Sequence, residues 1–196
     1  MTSKGITGIS TLILFIALIL VTAIAATVLM QSAESLRAQS AQTSKESKEK
    51  LLTKLNISSV TGELNNEKTA ITYLRISAIT SKSSEKLVLK DITISIQTDS
   101  NYFTGIDYNK AIGNSEQNMR DSVNDFNVFT IRYLEKISLN KKHIEPTERV
   151  EIWYNLNGLV GKNEKINIVI TPAIGYETRI NINTPRVFDK TTVNLY

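Results

Sequence analysis

The run LILFIALILVTAIAATVLM, residues 12–30, decides the fold: it is 19 residues without a charge, and only Thr22 and Thr27 interrupt its apolar character. At about 1.5 Å per residue a helix of that length spans roughly 28 Å, close to the hydrocarbon thickness of a bilayer. Nothing later in the chain is comparably apolar. Behind the run lies a polar stretch of over 140 residues, long enough for one domain with its own core.

A secretory signal peptide has a shorter apolar region followed by a small-residue cleavage site. Ala25 and Ala26 mimic such a site, but the apolar run continues past them to Met30. Before it stands MTSKGITGIS, with one basic residue, Lys4, followed by Gly5. After it stands QSAESLRAQSAQTSKESKEK, without Gly or Pro, a composition that predicts a helix continuing to about Lys48. Glu46 and Lys50 are four apart in the favourable order. Leu29, Ala33, Leu36 and Ser40 recur at helical spacing. An ordinary single-pass anchor is the bland reading, but anchors usually carry several basic residues on the cytoplasmic flank, and Lys4 stands alone. The run also carries small residues at Ala17, Thr22, Ala23, Ala25, Ala26 and Thr27. Thr22/Ala26 and Ala23/Thr27 are four apart, the spacing that lets helices approach closely.

Composition removes several function classes. The net charge is +4, with Lys and Arg scattered among acidic residues, so there is no nucleic-acid footprint. The absence of cysteine excludes disulfides, thiol catalysis and Cys-based zinc sites. The single histidine, His143, excludes every multi-His metal site, and beside Lys141 and Lys142 it reads as a solvated loop residue. Gly158 to Asn163 is too short for a phosphate loop, and Asn163 stands where Ser or Thr would bind magnesium. No nucleophile elbow or triad is present. Asp99, Asp107, Glu116, Asp121 and Asp125 crowd one stretch without EF-hand spacing, so plain solvation is the simpler reading and calcium the other. No cofactor and no metal is implied.

From Leu51 onward the period changes to two. Leu74, Ile76 and Ala78 alternate with Tyr73, Arg75 and Ser77; Ile92, Ile94 and Ile96 with Thr93 and Ser95. Ile166, Ile168 and Ile170 form another set, and Ile180 and Ile182 another. Phe126–Phe129, Val150–Tyr154 and Val193–Leu195 read as further strands. Turn-prone clusters separate them at Asn65-Asn66, Ser81 to Ser84, Asn157-Gly158 and Gly161 to Asn163. About eight short strands predict an antiparallel, immunoglobulin-like β-sandwich, each sheet burying one face. The stretch Asp99 to Asp125 is the least regular and is expected to be an exposed loop with one short helix. The fold class expected is therefore α+β: a long N-terminal hydrophobic helix, then the sandwich.

The string KGITGISTLILFIALILVTAIAATVL resembles the N-terminus of archaellins, the filament subunits of the archaeal swimming organelle. The family pattern has a basic residue and Gly at a cleavage point, Gly at the third position beyond it, and a Thr-Leu-Ile-x-Phe-Ile-Ala core. Here Lys4-Gly5 occupies the cleavage point, Ile6 becomes the new first residue, Gly8 is third, and Thr11 to Ala17 matches the core. Bacterial type IV pilins carry glutamate at the fifth position; here Ser10 stands there. Further along, Val60-Thr61-Gly62, Pro172-Ala173-Ile174-Gly175 and Thr184-Pro185 resemble the family's turns in order.

The resemblance implies three parts: a leader over 1–5, an assembly helix over 6–50 and a β-sandwich head over 51–196. It implies cleavage by an archaellin (prepilin-type) peptidase at Lys4, Gly5 and Ile6. Polymerisation with copies of itself would proceed through Gly8, Leu12, Phe15, Ala17, Thr22, Ala23, Ala26 and Thr27. It further implies residence in the cytoplasmic membrane before assembly, an assembly platform with its ATPase, and an extracellular filament for swimming. Asn56-Ile57-Ser58 is the one Asn-x-Ser/Thr sequon, so Asn56 is the expected glycosylation site and an oligosaccharyltransferase a further partner. The rival readings are an archaeal adhesion pilin and a membrane-anchored binding module.

Overall fold

The computed structural model describes residues 3–82, 84, 86–135 and 141–196, with residues 3–7 given as backbone alone. The chain divides into two compact units, Met1–Ser47 and Lys48–Tyr196. Met1 and Thr2 of the expected leader lie outside the described residues, as does Ser83 of the expected Ser81–Ser84 turn.

The N-terminal element is a single helix, α1 (Ser3–Leu52). It starts within the expected leader and ends two residues past Lys50, because no Gly or Pro intervenes. Thr53 closes it, its amide donating to the Glu49 carbonyl at 3.0 Å.

The head begins at once with β1 (Leu55–Leu64), followed by β2 (Ile71–Thr80), the two-residue β3 (Leu87–Val88), a 3-10 turn (Leu89–Asp91), β4 (Ile92–Thr98) and β5 (Tyr102–Tyr108). A short helix α2 (Glu116–Ser122) leads to β6 (Val128–Tyr133), the two-residue β7 (His143–Ile144), β8 (Arg149–Val160), β9 (Lys165–Pro172), β10 (Thr178–Asn183) and β11 (Thr192–Asn194). Nine strands hydrogen-bond in the order β10-β9-β4-β5-β6-β8-β2-β1-β11, and β3 pairs with β7.

This is one antiparallel-rich sheet curled over on itself. Leu74 and Ile76 of β2, Ile94 and Ile96 of β4, Ile152 of β8 and Ile168 of β9 share one buried cluster, so the two halves face each other across a common core. The period-two alternation of isoleucines places them there, each buried side chain contributing about 1.5–3 kcal/mol. The two halves meet at β5, which pairs antiparallel with β4 but parallel with β6, through Asp107↔Val128 and Tyr108↔Phe129. A parallel step needs a long crossover, and residues 109–127, carrying α2, supply it.

Several local expectations change. The stretch Asp99 to Asp125 holds its short helix, but also a strand, β5. Asn157 and Gly158 have positive φ, 49° and 75°, yet they bulge β8 where a turn was expected, and the register with β2 shifts between Ile71 and Tyr73. Val60-Thr61-Gly62 lies within β1, not at a turn; a Cβ at Gly62 would press on Ile71 at 3.0 Å and Val193 at 3.2 Å. His143 is half-buried in β7 rather than in a loop, and its carbonyl accepts from the Tyr133 hydroxyl at 3.1 Å.

Pro172 to Gly175 does end a strand. Gly175 has φ +118°, and a Cβ there would collide with the Thr53 carbonyl oxygen. The next amide, of Tyr176, donates to that same oxygen at 3.1 Å. Glycine is required because only it reaches this conformation and leaves the carbonyl room.

Candidate functional site

The apolar stretch of α1 is the first candidate. Leu12, Ile13, Leu14, Phe15 and Ile16 are consecutive, and all are 51–69 % exposed, so large apolar side chains surround the helix. A helix apolar all round belongs inside other apolar matter. It is also long and apolar enough to cross a membrane.

Its polar atoms are already satisfied. Thr11 Oγ1 donates to the Gly8 carbonyl at 2.9 Å, Thr22 Oγ1 to Ile19 at 2.9 Å and Thr27 Oγ1 to Ala23 at 2.8 Å. The threonines thus present methyl groups and small bulk outward without an unpaired hydroxyl, which would cost several kcal/mol in an apolar setting, roughly 2–7 by transfer estimates. At about 100° per residue, Gly8, Leu12, Phe15, Thr22, Ala23, Ala26 and Thr27 fall within one arc of roughly 140°. Ala17 lies on the other side of the helix. A Cβ at Gly8 would meet nothing within 4 Å. Lys4, Gly5 and Ile6 fall within the helical backbone, and their side chains lie outside the described residues.

Asn56 sits in β1, exposed, and pairs across to Ile79 of β2. The sequon is therefore on a strand. The outer edge of β1 is open at this point, because β11 pairs only with Thr61, Gly62 and Glu63. Asn56 lines a groove with Lys54, Ile57, Thr178, Arg179, Asn181 and Tyr196.

The five clustered carboxylates disperse. Asp99 accepts from the Lys165 amide at 3.0 Å, Asp121 from Gln117 at 2.9 Å, and Asp125 from the Asn127 amide at 3.2 Å. Among the described residues no group of three or more His, Asp or Glu side chains is placed to hold a metal ion.

Glu116 has a different role, which sequence reading missed. Trp153, fully buried, lies on the face of β8 opposite the main core, with Ala111 and Met119 against it. Arg75, Arg132 and Arg120 lie over its ring at 5.3, 5.7 and 6.0 Å. Carboxylates hold each guanidinium: Arg75 by Glu116 at 3.3 Å, Arg132 by Glu151 at 2.5 Å, Arg120 by Glu63 at 2.5 Å. Trp153 Nε1 donates to Glu151 at 2.8 Å. The hydrogen bond that Arg120 donates to Glu63 raises the Arg120 pKa further, against the opposing effect of burial. This second small core pins α2 to the sheet and closes over β8. The one sequence hint was a lone tryptophan at an outward position of a strand; its partners, such as Glu63 and Arg120, are 57 residues apart.

Elsewhere, burial pushes the Tyr133 and Tyr154 hydroxyls far above the usual phenol range, and both donate to carbonyls, of His143 and Phe126. Glu145 is held below the ordinary carboxylate range, first by its hydrogen bond to His143 and then by Lys141.

The family model described as archaeal-type flagellin matches residues 5–182. Flagellin B1 of Natrialba magadii is 28 % identical over 98 % of this chain and 96 % of its own length. Flagellin A2 of Halobacterium salinarum is 27 % identical over 98 % of this chain and 95 % of its own. Two solved structures share the fold. The archaeal flagellum of Methanospirillum hungatei strain JF1 aligns at TM-score 0.69 and 12 % identity, covering 96 % of this chain and 98 % of that one. Archaeal flagellin FlaB1 from Methanocaldococcus jannaschii aligns at TM-score 0.65 and 16 % identity, covering 73 % and 96 %.

Proposed function

The chain belongs to the archaeal-type flagellin family, a structural subunit of the archaellum filament used for swimming, and from that premise we propose how its two parts share the work. The observation that carries the reading is α1: an uncharged run whose large side chains are exposed all round, within a family that polymerises.

Before assembly, α1 spans the cytoplasmic membrane with Lys4 on the cytoplasmic side, in keeping with the positive-inside rule. A membrane peptidase cuts after Gly5 and frees Ile6. The helix then leaves lipid and joins copies of itself. Lipid is as apolar as the helix, so this step gains little from burial. Close packing along the Gly8, Leu12, Phe15, Thr22, Ala23, Ala26 and Thr27 arc supplies the attraction, with Ala17 on the opposite side meeting a second neighbour. An assembly platform and its ATPase supply the lift.

Once the filament stands in water the balance changes. Thirteen large apolar side chains lie between Leu12 and Met30. At about 1.5–3 kcal/mol each, exposing them would cost on the order of 20–40 kcal/mol, an upper bound. Release of a subunit is thereby suppressed. Head-to-tail repetition gives an open helix, and the heads form its outer surface. An oligosaccharyltransferase modifies Asn56 on that surface. The chain is structural and catalyses nothing.

The N-terminal residue of the protein isolated from cells tests this reading. Ile6 at the terminus of filament subunits is expected; an uncut monomer that remains in the membrane would overturn it. Deletion of the gene is expected to remove the filaments seen by negative stain and to stop swimming.

A further inference from the structure

We propose that the outer face of the β10-β9-β4-β5 half of the sheet is a saccharide-binding surface that seats the glycan of Asn56 on the same chain; this rests on the modification of Asn56 proposed above. Alternation sends the isoleucines of these strands inward and leaves an amide row outside. Gln97 of β4 is directly opposite Asn167 of β9, and Asn167 is directly opposite Asn181 of β10. Tyr102 of β5, paired with Gln97 and 65 % exposed, extends the row.

The row lines two adjoining concavities. One, of about 440 Å³, takes in Gln97, Asn167, Asn181 and Asn183. The other, of about 270 Å³, takes in Gln97, Asn167, Tyr102 and Arg179. The first lies within the size range of small-molecule sites. Planar amides carry a donor and an acceptor side by side, the pattern that neighbouring hydroxyls of a sugar complete. A tyrosine ring beside them offers an apolar face to the C–H side of a pyranose, with its hydroxyl at the wet edge.

An unmet need points the same way. The Asn167 Oδ1 atom is buried and has no hydrogen-bond partner. An unsatisfied buried acceptor costs about 1–3 kcal/mol, and a sugar hydroxyl is a donor of the right reach. The occupant is at hand. Arg179 and Asn181 line the groove that also contains Asn56, so the sequon opens onto one end of the amide row. From β10 to β5 there are three inter-strand steps of about 4.8 Å, roughly 14 Å in all, a span a short oligosaccharide covers.

The test uses the full-length chain from native cells, dissolved in detergent so that neighbouring copies are absent. Intact mass of the Asn56 peptide and hydroxyl-radical labelling of Tyr102 are read on the same preparation. With the glycan present, Tyr102 is expected to label severalfold less than in Asn56→Gln. Gln97→Ala and Asn167→Ala, which keep the glycan, are expected to restore the labelling. Equal labelling of Tyr102 with and without the glycan overturns the seating and leaves the modification of Asn56 standing. A bare Asn56 overturns both. Protection seen only in assembled filaments, and equally in Asn56→Gln, overturns the proposal in favour of a second copy covering this face.

Discussion

Two apolar segments of this chain end in opposite conditions. Val150 to Tyr154 in β8 is buried at every position, with isoleucine and tyrosine in the main core and Trp153 beneath α2. Leu12 to Met30 is more apolar, yet its large side chains stand exposed. The strand completes its burial with residues of its own chain. A single helix cannot cover an apolar surface on all its sides by itself, and in the function proposed above lipid or copies of itself complete its burial. Damage to the helix should therefore abolish assembly and spare the head, whereas damage to β8 should weaken the head and spare insertion.

The largest expected effect is Gly5→Val. A β-branched residue at the proposed cleavage point should block processing, so the protein stays at precursor mass on a gel and no filaments form. Filaments with a wild-type terminus would break the division drawn above. Next is Ala23→Leu, which adds bulk to the small-residue arc. Membrane fractionation should recover the protein as before, while electron microscopy finds few or no filaments; normal filaments would mean that the arc does not set the packing.

Trp153→Ala probes the other side of the comparison. Removing a fully buried aromatic typically costs about 3–5 kcal/mol. It also leaves Arg75 and Arg132 without the ring they cover. Chemical denaturation of the head signal should show the loss, and membrane insertion should be unchanged. Gly175→Ala should cost less, on the order of 1–3 kcal/mol, because φ +118° is strained for any L side chain and Thr53 has no room to give. An unchanged denaturation midpoint would mean that the loop moves aside.

The smallest effect concerns pH. The Glu145 pKa is lowered in the folded head, so its contribution is present above the ordinary carboxylate pKa and is lost as pH falls through the lowered one. The site is exposed, so screening leaves little of it. Glu145→Gln should flatten only slightly the fall in melting temperature toward acid. A large flattening would show that the His143 contact matters more than its exposure allows.

What could be read from the residues in order was what repeats locally. The α1 run and the Ile92/Ile94/Ile96 and Ile166/Ile168/Ile170 alternations announce helix and strands because each reports its own burial period. Three things stayed hidden for physical reasons. β5 carries Gly105 at φ +67° beside a register shift, and most of it is exposed, so it lacks the pattern of a half-buried strand. Asn157-Gly158 has the composition of a turn, but in β8 the same left-handed pair bends the strand without ending it. The Trp153 assembly joins β1, β2, β6, β8 and α2 through charge pairs that have no local signature. The groove at Asn56 depends likewise on β10, more than 120 residues away, whose Thr178 hydroxyl donates to the Leu55 carbonyl at 2.8 Å.

The junction at Thr53 has a mechanical consequence. In a rotating filament, any load on a head would pass along its chain where α1 gives way to β1. The Thr53 carbonyl is gripped by Tyr176 just ahead of the first pairing with β2, and the Leu55 carbonyl by Thr178 at that first pair. Farther along, Val60 and Leu64 are tied on the other side to Tyr196 and Thr191. Peeling from the helix end would break the Tyr176 grip first and then the bond from the Ser81 amide to the Lys54 carbonyl, before reaching Leu55, where the ladder and the Thr178 grip begin together. Under such a load the Gly175 loop would act as the strain relief on a cable, taking the pull at Thr53 before the hydrogen bonds between β1 and β2.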